Sequence, residues 1–256
     1  MRRWLRPRTG GAVRDGGFSL VELMVTIFIM GIVVAATVSL TIGFQRTNAS
    51  NISRQEQIDT ARSAVEAISK SVRTAVKPAQ LTSSCAGFCA ADAFLQGTDF
   101  SVQFYANLNN SRNSVGPSRV TYTLVTTGPT AGQIIETIQR PDPDGPGPSG
   151  YVYCNATSGS ATADCKARFA TRPVAFGAIA ATGAPVFKYY DADGDQMSPA
   201  VSGGSLTVPQ LGSVLSIEII ITVRSKNAVQ AATTTYVQRV TLPNAQAVIR
   251  EGKDAP

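Results

Sequence analysis

Hydrophobic positions in this chain fall into three regimes. From Phe18 to Phe44 they are almost continuous, with Glu22 as the single charge. At about 1.5 Å rise per residue, the uncharged run from Leu23 to Phe44 spans roughly 33 Å as a helix, enough to cross a bilayer. From Gln45 to Lys77 there is no proline, and Ile58, Ala61, Val65, Ile68, Val72 and Ala75 recur at alternating spacings of three and four. That spacing predicts one apolar helical face. Arg54, Glu56, Arg62, Glu66, Lys70 and Arg73 lie off it, and Pro78 is expected to end it, because the residue before a proline avoids the helical region. The polar interval Thr47–Asn51 is the expected place for a bend or a weak stretch of helix.

Beyond residue 78 the period changes to two. Phe100, Val102 and Phe104 alternate with polar residues, as do Val120, Tyr122 and Leu124. Ile134–Ile138, Tyr151–Tyr153, Val186–Tyr190, Val214–Val223 and Tyr236–Leu242 add further candidate strands, the fourth with Ile217, Ile219, Ile221 and Val223 on one face. Such alternation predicts half-buried antiparallel strands. The helical face at 58–75 is the available partner, so the expected class is α+β, one antiparallel sheet packed on the second half of a long helix. The run Asp142–Gly150, rich in Pro and Gly, predicts an exposed loop between an early and a later sheet region.

Composition narrows the chemistry. The chain has 256 residues, 16% charged, and no histidine. Without imidazole, Ser-His-Asp and Cys-His catalysis and His-ligated metals are excluded. The net charge of +6 is mostly local: Arg2, Arg3, Arg6, Arg8 and Arg14 precede residue 18, with only Asp15 against them. The basic excess is an N-terminal leader, so nucleic-acid binding by the folded part is not expected. By the positive-inside preference that leader stays in the cytoplasm and the rest lies outside it.

The apolar run admits three readings: a signal peptide cut near Ala35-Ala36-Thr37, a plain anchor, or an element that needs the carboxylate of Glu22. Gly16-Gly17-Phe18-Ser19-Leu20-Val21-Glu22-Leu23-Met24 strongly resembles the cleavage and methylation segment of type IV prepilins. In that family a membrane-embedded aspartyl peptidase cuts after the glycine and also methylates the new N-terminus. The resemblance implies cleavage between Gly17 and Phe18, an N-methylated Phe18, and an assembly role for Glu22. It implies the pilin fold, no enzymatic activity, and three partners: the peptidase/methyltransferase, an inner-membrane assembly platform, and other pilins or pseudopilins. The apolar segment lacks the proline that many major pilins carry there. Val214–Val223 followed by Val240-Thr241-Leu242-Pro243-Asn244 looks like the closing strands of larger minor pilins and of minor pseudopilins of type II secretion.

The implied organisation is a leader (1–17), a membrane and assembly helix (18–44), an amphipathic helix (45–77) and an extracytoplasmic β-rich domain (78–256). The expected function is a minor pilin or pseudopilin, held by one span in the cytoplasmic membrane and then moved into a filament. The alternatives are a pilin-anchored adhesive or ligand-binding module with its specificity near 85–99 and 142–172, or a pseudopilin of type II secretion or DNA uptake.

Two further constellations carry chemistry. Four cysteines fall as Cys85/Cys89 and Cys154/Cys165. Outside the cytoplasm, proximity favours disulfides within each pair, although four cysteines permit three connectivities and a zinc site is the alternative. Asp191, Asp193 and Asp195 stand on alternate positions around Gly194. They read as a solvated hairpin turn, with calcium as the alternative, since alternating carboxylates can converge on a hard cation. No other cofactor is expected.

Overall fold

The computed structural model describes residues 17–81, 91–108, 110, 114–147, 150–180, 184–201, 203–224 and 232–242. The chain divides into two units, Met1–Ala49 and Ser50–Pro256, and one helix, α1 (Leu20–Val72), contributes to both.

In the first unit the helix opens with the Leu23 N–H bonded to the Ser19 carbonyl at 3.1 Å. Glu22 sits in its first turn, where a carboxylate complements the helix dipole. Every large apolar side chain here, from Phe18 to Phe44, is exposed. Thr26, Thr37 and Thr41 turn their hydroxyls onto carbonyls three or four residues back. Such back-bonding removes the donors that an apolar medium would leave unpaired.

The second unit begins inside the helix. Thr47–Asn51 is helical throughout. The buried face is Gln57, Ala61, Ala64, Val65, Ile68 and Val72, while Ile58, placed on it by spacing, is exposed. The helix also ends at Val72, short of Pro78. The Thr74 and Ala75 N–H groups bond back to Ser71 and Val72 at 2.9 Å, and the chain then pairs with a strand: Ala75 bridges Ala106, and the Val76 N–H donates to the Tyr105 carbonyl. Ala75 is buried by that bridge rather than by a helical face.

Two antiparallel sheets follow, where one was expected. The first is a meander of β1 (Phe94–Gly97), β2 (Ser101–Ala106), β3 (Ser118–Leu124), β4 (Ile134–Gln139) and β5 (Phe169–Ala175), in that order. The short helix α2 (Ala163–Ala167) precedes β5. The second comprises β6 (Phe187–Tyr190), β7 (Gln196–Met197), β8 (Ser216–Val223) and β9 (Thr234–Thr241), ordered β7-β6-β8-β9, with α3 (Val208–Ser213) before β8. The chain leaving β5 does not continue the meander. It crosses to β8, where Ala178 bridges Val223. At the other end the Val186 and Phe187 N–H groups donate to the Asp99 carbonyl, and the Leu206 N–H to that of Gly97. A Cβ on Gly97 would lie 3.0 Å from the Tyr189 ring, so the absence of a side chain lets Tyr189 pass under β1. There its hydroxyl donates to the Thr98 carbonyl at 2.9 Å. Val102, Phe104, Val120, Tyr122 and Ile134 from one sheet and Ile217, Ile219, Ile221 and Val223 from the other share one core with the helical face.

The Pro/Gly-rich loop does not separate the sheets: it lies between β4 and β5, which are direct partners. Tyr151–Tyr153 forms no strand. Tyr153 instead packs on the first sheet, its ring stacked on Tyr105 at 6.1 Å, under the Arg119 guanidinium, with its hydroxyl donating to the Pro117 carbonyl at 2.7 Å.

Candidate functional site

The residues singled out at the N-terminus lie together at the start of α1. Gly17 and Phe18 precede the helix, and a Cβ on Gly17 would meet nothing within 4 Å. Phe18 is 82% exposed. The Gly17–Phe18 peptide is therefore outside regular structure, as a scissile bond must be to enter an extended active-site cleft. Glu22 follows one turn later, exposed and without an ion-pair partner among the described residues. Beyond it runs the one helical stretch among the described residues that is long and apolar enough to cross a membrane. None of that stretch is buried within the protein.

Cys154 and Cys165 are joined by a disulfide with Cα atoms 6.0 Å apart. Their sulfurs are thus not thiolate ligands for a metal. The bridge ties the β4–β5 connection to α2, which Thr162 caps by accepting the Cys165 N–H at 3.2 Å. Gln139 donates to the Cys154 carbonyl, and Arg168 pairs with Asp142 at 2.9 Å. Cys85 and Cys89 lie outside the described residues.

Asp191, Asp193 and Asp195 lie in the β6–β7 turn. Asp191 turns one carboxylate oxygen onto the N–H groups of Asp193 and Asp195 at 3.1 and 2.9 Å. Gly194 takes φ +89°, the left-handed conformation that a side chain would resist. Among the described residues no group of three or more His, Cys, Asp or Glu is placed to hold a metal ion.

One buried ionic group was not singled out from the sequence. Glu136, on the core-facing side of β4, accepts from the Tyr122 hydroxyl and from Arg172 Nε. Burial, then the bond to Glu136, pushes the Tyr122 hydroxyl well above its ordinary range. The hydrogen bond to Glu136 likewise raises Arg172. The signal was present: Ile134 and Glu136 share parity on an alternating strand, so a carboxylate had to lie beside an isoleucine in the core.

Residues 13–38 match the family model described as the prokaryotic N-terminal methylation motif. The match covers the Gly17–Phe18 junction, Glu22 and the apolar run as far as residue 38. No curated protein matches the chain. The chain thus carries the N-terminus of the type IV prepilin-like family, followed by a membrane-capable helix and an α+β body with antiparallel sheets.

Proposed function

We propose that this chain is a minor pilin or pseudopilin, a structural subunit of a type IV filament machine. The observation that carries the reading is the methylation motif running directly into an apolar helix that the protein itself leaves uncovered. Hydrolysis of the Gly17–Phe18 bond releases the basic leader and leaves an α-amine on Phe18. Its reference pKa of about 7.7–8.0 keeps it largely protonated, and methylation preserves the positive charge. In the membrane, the exposed apolar side chains of α1 face lipid. In a filament the same side chains pack against neighbouring helices, away from water, where an isolated carboxylate is costly. The amine of an adjacent Phe18 compensates Glu22 and sets the stagger between subunits. The body beginning at Ser50 lies outside the cytoplasm, consistent with the disulfide at Cys154–Cys165. Its partners are the processing peptidase, the membrane assembly platform and other pilins.

Mass spectrometry of the N-terminal peptide tests this reading. The expected mature chain begins at methylated Phe18. A chain beginning near residue 37, or one retaining residues 1–17 in cells with an active prepilin peptidase, overturns it.

A further inference from the structure

The Cys154–Cys165 bridge joins two sulfurs in unlike surroundings. Cys165, in α2, is buried at 4% exposure. Cys154, on the loop after β4, keeps part of its surface in solvent. Two donors face the Cys154 sulfur: Gln139 Nε2 at 3.9 Å and Arg168 Nη2 at 3.8 Å. Among the described residues no side-chain donor is placed on Cys165 Sγ. The Cys165 N–H is taken by Thr162 Oγ1, and Asp164 is its neighbour.

Chemistry fixes the orientation of the Gln139 amide. Arg119 can only donate, and its Nη2 lies 2.6 Å from Gln139 Oε1, so the amide turns its NH2 group to Cys154. The same NH2 donates to the Cys154 carbonyl. Arg168 is held by Asp142 at 2.9 Å, and its Nε is buried without a partner, so the guanidinium has donor capacity left over. Arg140, bonded to the Ala167 carbonyl, adds positive charge nearby, while Asp164 and Lys166 of α2 offset each other. Negative charge on Cys154 Sγ therefore meets donors and a net positive field. The thiolate is the reactive form of cysteine, and a neighbouring arginine favours it. Each end is also held by contacts other than the bridge: Tyr153 and Gln139 tie the Cys154 backbone to the first sheet, and the Arg140 N–H donates to the Arg168 carbonyl just after α2.

We propose that Cys154 is the sulfur through which this bridge is made and exchanged with an external disulfide or thiol, with Arg168 and Gln139 as donors to its thiolate and Cys165 as the internal thiol that completes it. On formation, the Cys154 thiolate attacks one sulfur of an external disulfide. A mixed disulfide forms on Cys154, and the other half of the carrier leaves as a thiolate. The Cys165 thiol then gives its proton to water and attacks Cys154 Sγ, which closes the bridge and expels the second carrier thiolate. The chain loses two electrons and two protons, and the carrier disulfide takes up the electrons. In reverse, an external thiolate attacks Cys154 Sγ and Cys165 leaves. Arg168 alone would favour Cys154 as the leaving group and so attack at Cys165, but the burial of Cys165 closes that approach, and access decides. The assignment uses the second unit alone and does not depend on cleavage after Gly17.

The test starts from the oxidised full-length chain, solubilised in detergent without denaturant, exposed briefly to reduced glutathione and quenched with iodoacetamide. Fragment-ion mass spectrometry of the peptide holding both cysteines should find glutathione on Cys154 and the alkyl group on Cys165, in roughly tenfold excess over the reverse arrangement. In a Cys165→Ser chain, oxidised glutathione should add to Cys154. Arg168→Gln should slow that addition by roughly threefold and move the midpoint of its pH dependence upward, whereas Arg168→Lys, which keeps the charge, should restore most of the rate. Equal amounts of the two mixed disulfides, a majority on Cys165, or a bridge that reacts only after urea is added overturns the proposal. So does an Arg168→Gln chain whose rate and pH profile match those of its parent.

Discussion

Glu136 and Arg172 are register partners across β4 and β5, yet one is buried and the other is not: their side chains are 2% and 66% exposed. A buried charge is tolerated when its hydrogen bonds are made, and here an arginine at the sheet edge and the Tyr122 hydroxyl make them. Removing Arg172 leaves the carboxylate short of a donor. Arg172→Ala should cost about 1–3 kcal/mol, and Glu136→Gln, which can still accept from Tyr122, should cost less. Chemical denaturation of the purified chain measures both, and an Arg172→Ala variant at wild-type stability would show that solvent replaces the pair.

The buried tyrosines set an alkaline limit. Burial raises Tyr122, Tyr153 and Tyr189 above the ordinary value of 10.0. Folded, they hold protons that the unfolded chain releases, so their contribution is complete below about pH 10 and falls as pH rises toward their folded values. Melting temperature should therefore drop above that pH. Tyr153→Phe should flatten the slope by one proton, readable from melting curves alongside tyrosinate absorbance.

The Cys154–Cys165 bridge closes a separation of 11 residues. Replacing both cysteines by serine should lower stability by about 2–3 kcal/mol. Non-reducing peptide mapping should recover the two as one linked species, and reductant should shift the melting curve of the wild type but not of the double variant.

Gly116 lies at φ +110°, and a Cβ there would fall 2.1 Å from the Tyr151 ring. Gly116→Ala should be destabilising by about 1–3 kcal/mol through strain, and by more if the ring cannot move. A conservative change of Tyr151 to Leu should recover part of the loss in a double-mutant cycle.

Two changes separate processing from assembly. A bulky residue in place of Gly17 should leave the chain uncleaved by mass. Glu22→Gln should be cleaved and inserted normally, since a neutral side chain enters lipid more readily, yet be depleted from filament fractions. Wild-type levels of Glu22→Gln in filaments would reject the charge pair with Phe18.

Periodicity made much of this architecture legible. β2, β3, β4, β6 and β8 coincide with candidate segments because each buries residues on one face, and β9 coincides with Tyr236–Leu242, where Val240 and Leu242 are buried. β5 was not legible because residues 170–173 are exposed and nothing apolar alternates there. Val72 could not be recognised as the last helical residue, since the signal that ends α1 is the pairing of Ala75 and Val76 with β2, distant in sequence. Two sheets were read as one because the crossing after β5 rests on backbone bonds at Gly177, Ala178 and Ile179, which no side-chain pattern announces. At the N-terminus, by contrast, the motif lies in one contiguous stretch within residues 13–38, with no tertiary contact needed to assemble it.

Gln139 and Phe169 are direct partners at the ends of β4 and β5, so the chain between them departs from and returns to a single point on the sheet. Closing such an excursion costs entropy that grows only with the logarithm of its length. The excursion carries its own clasp in the Cys154–Cys165 bridge and its own cap at Thr162. Added length there costs the sheet little, but the segment from Tyr151 to Cys154 is held to it by Tyr153 on Tyr105 and Arg119 and by Gln139 on the Cys154 carbonyl, so an exchanged segment would have to keep those contacts.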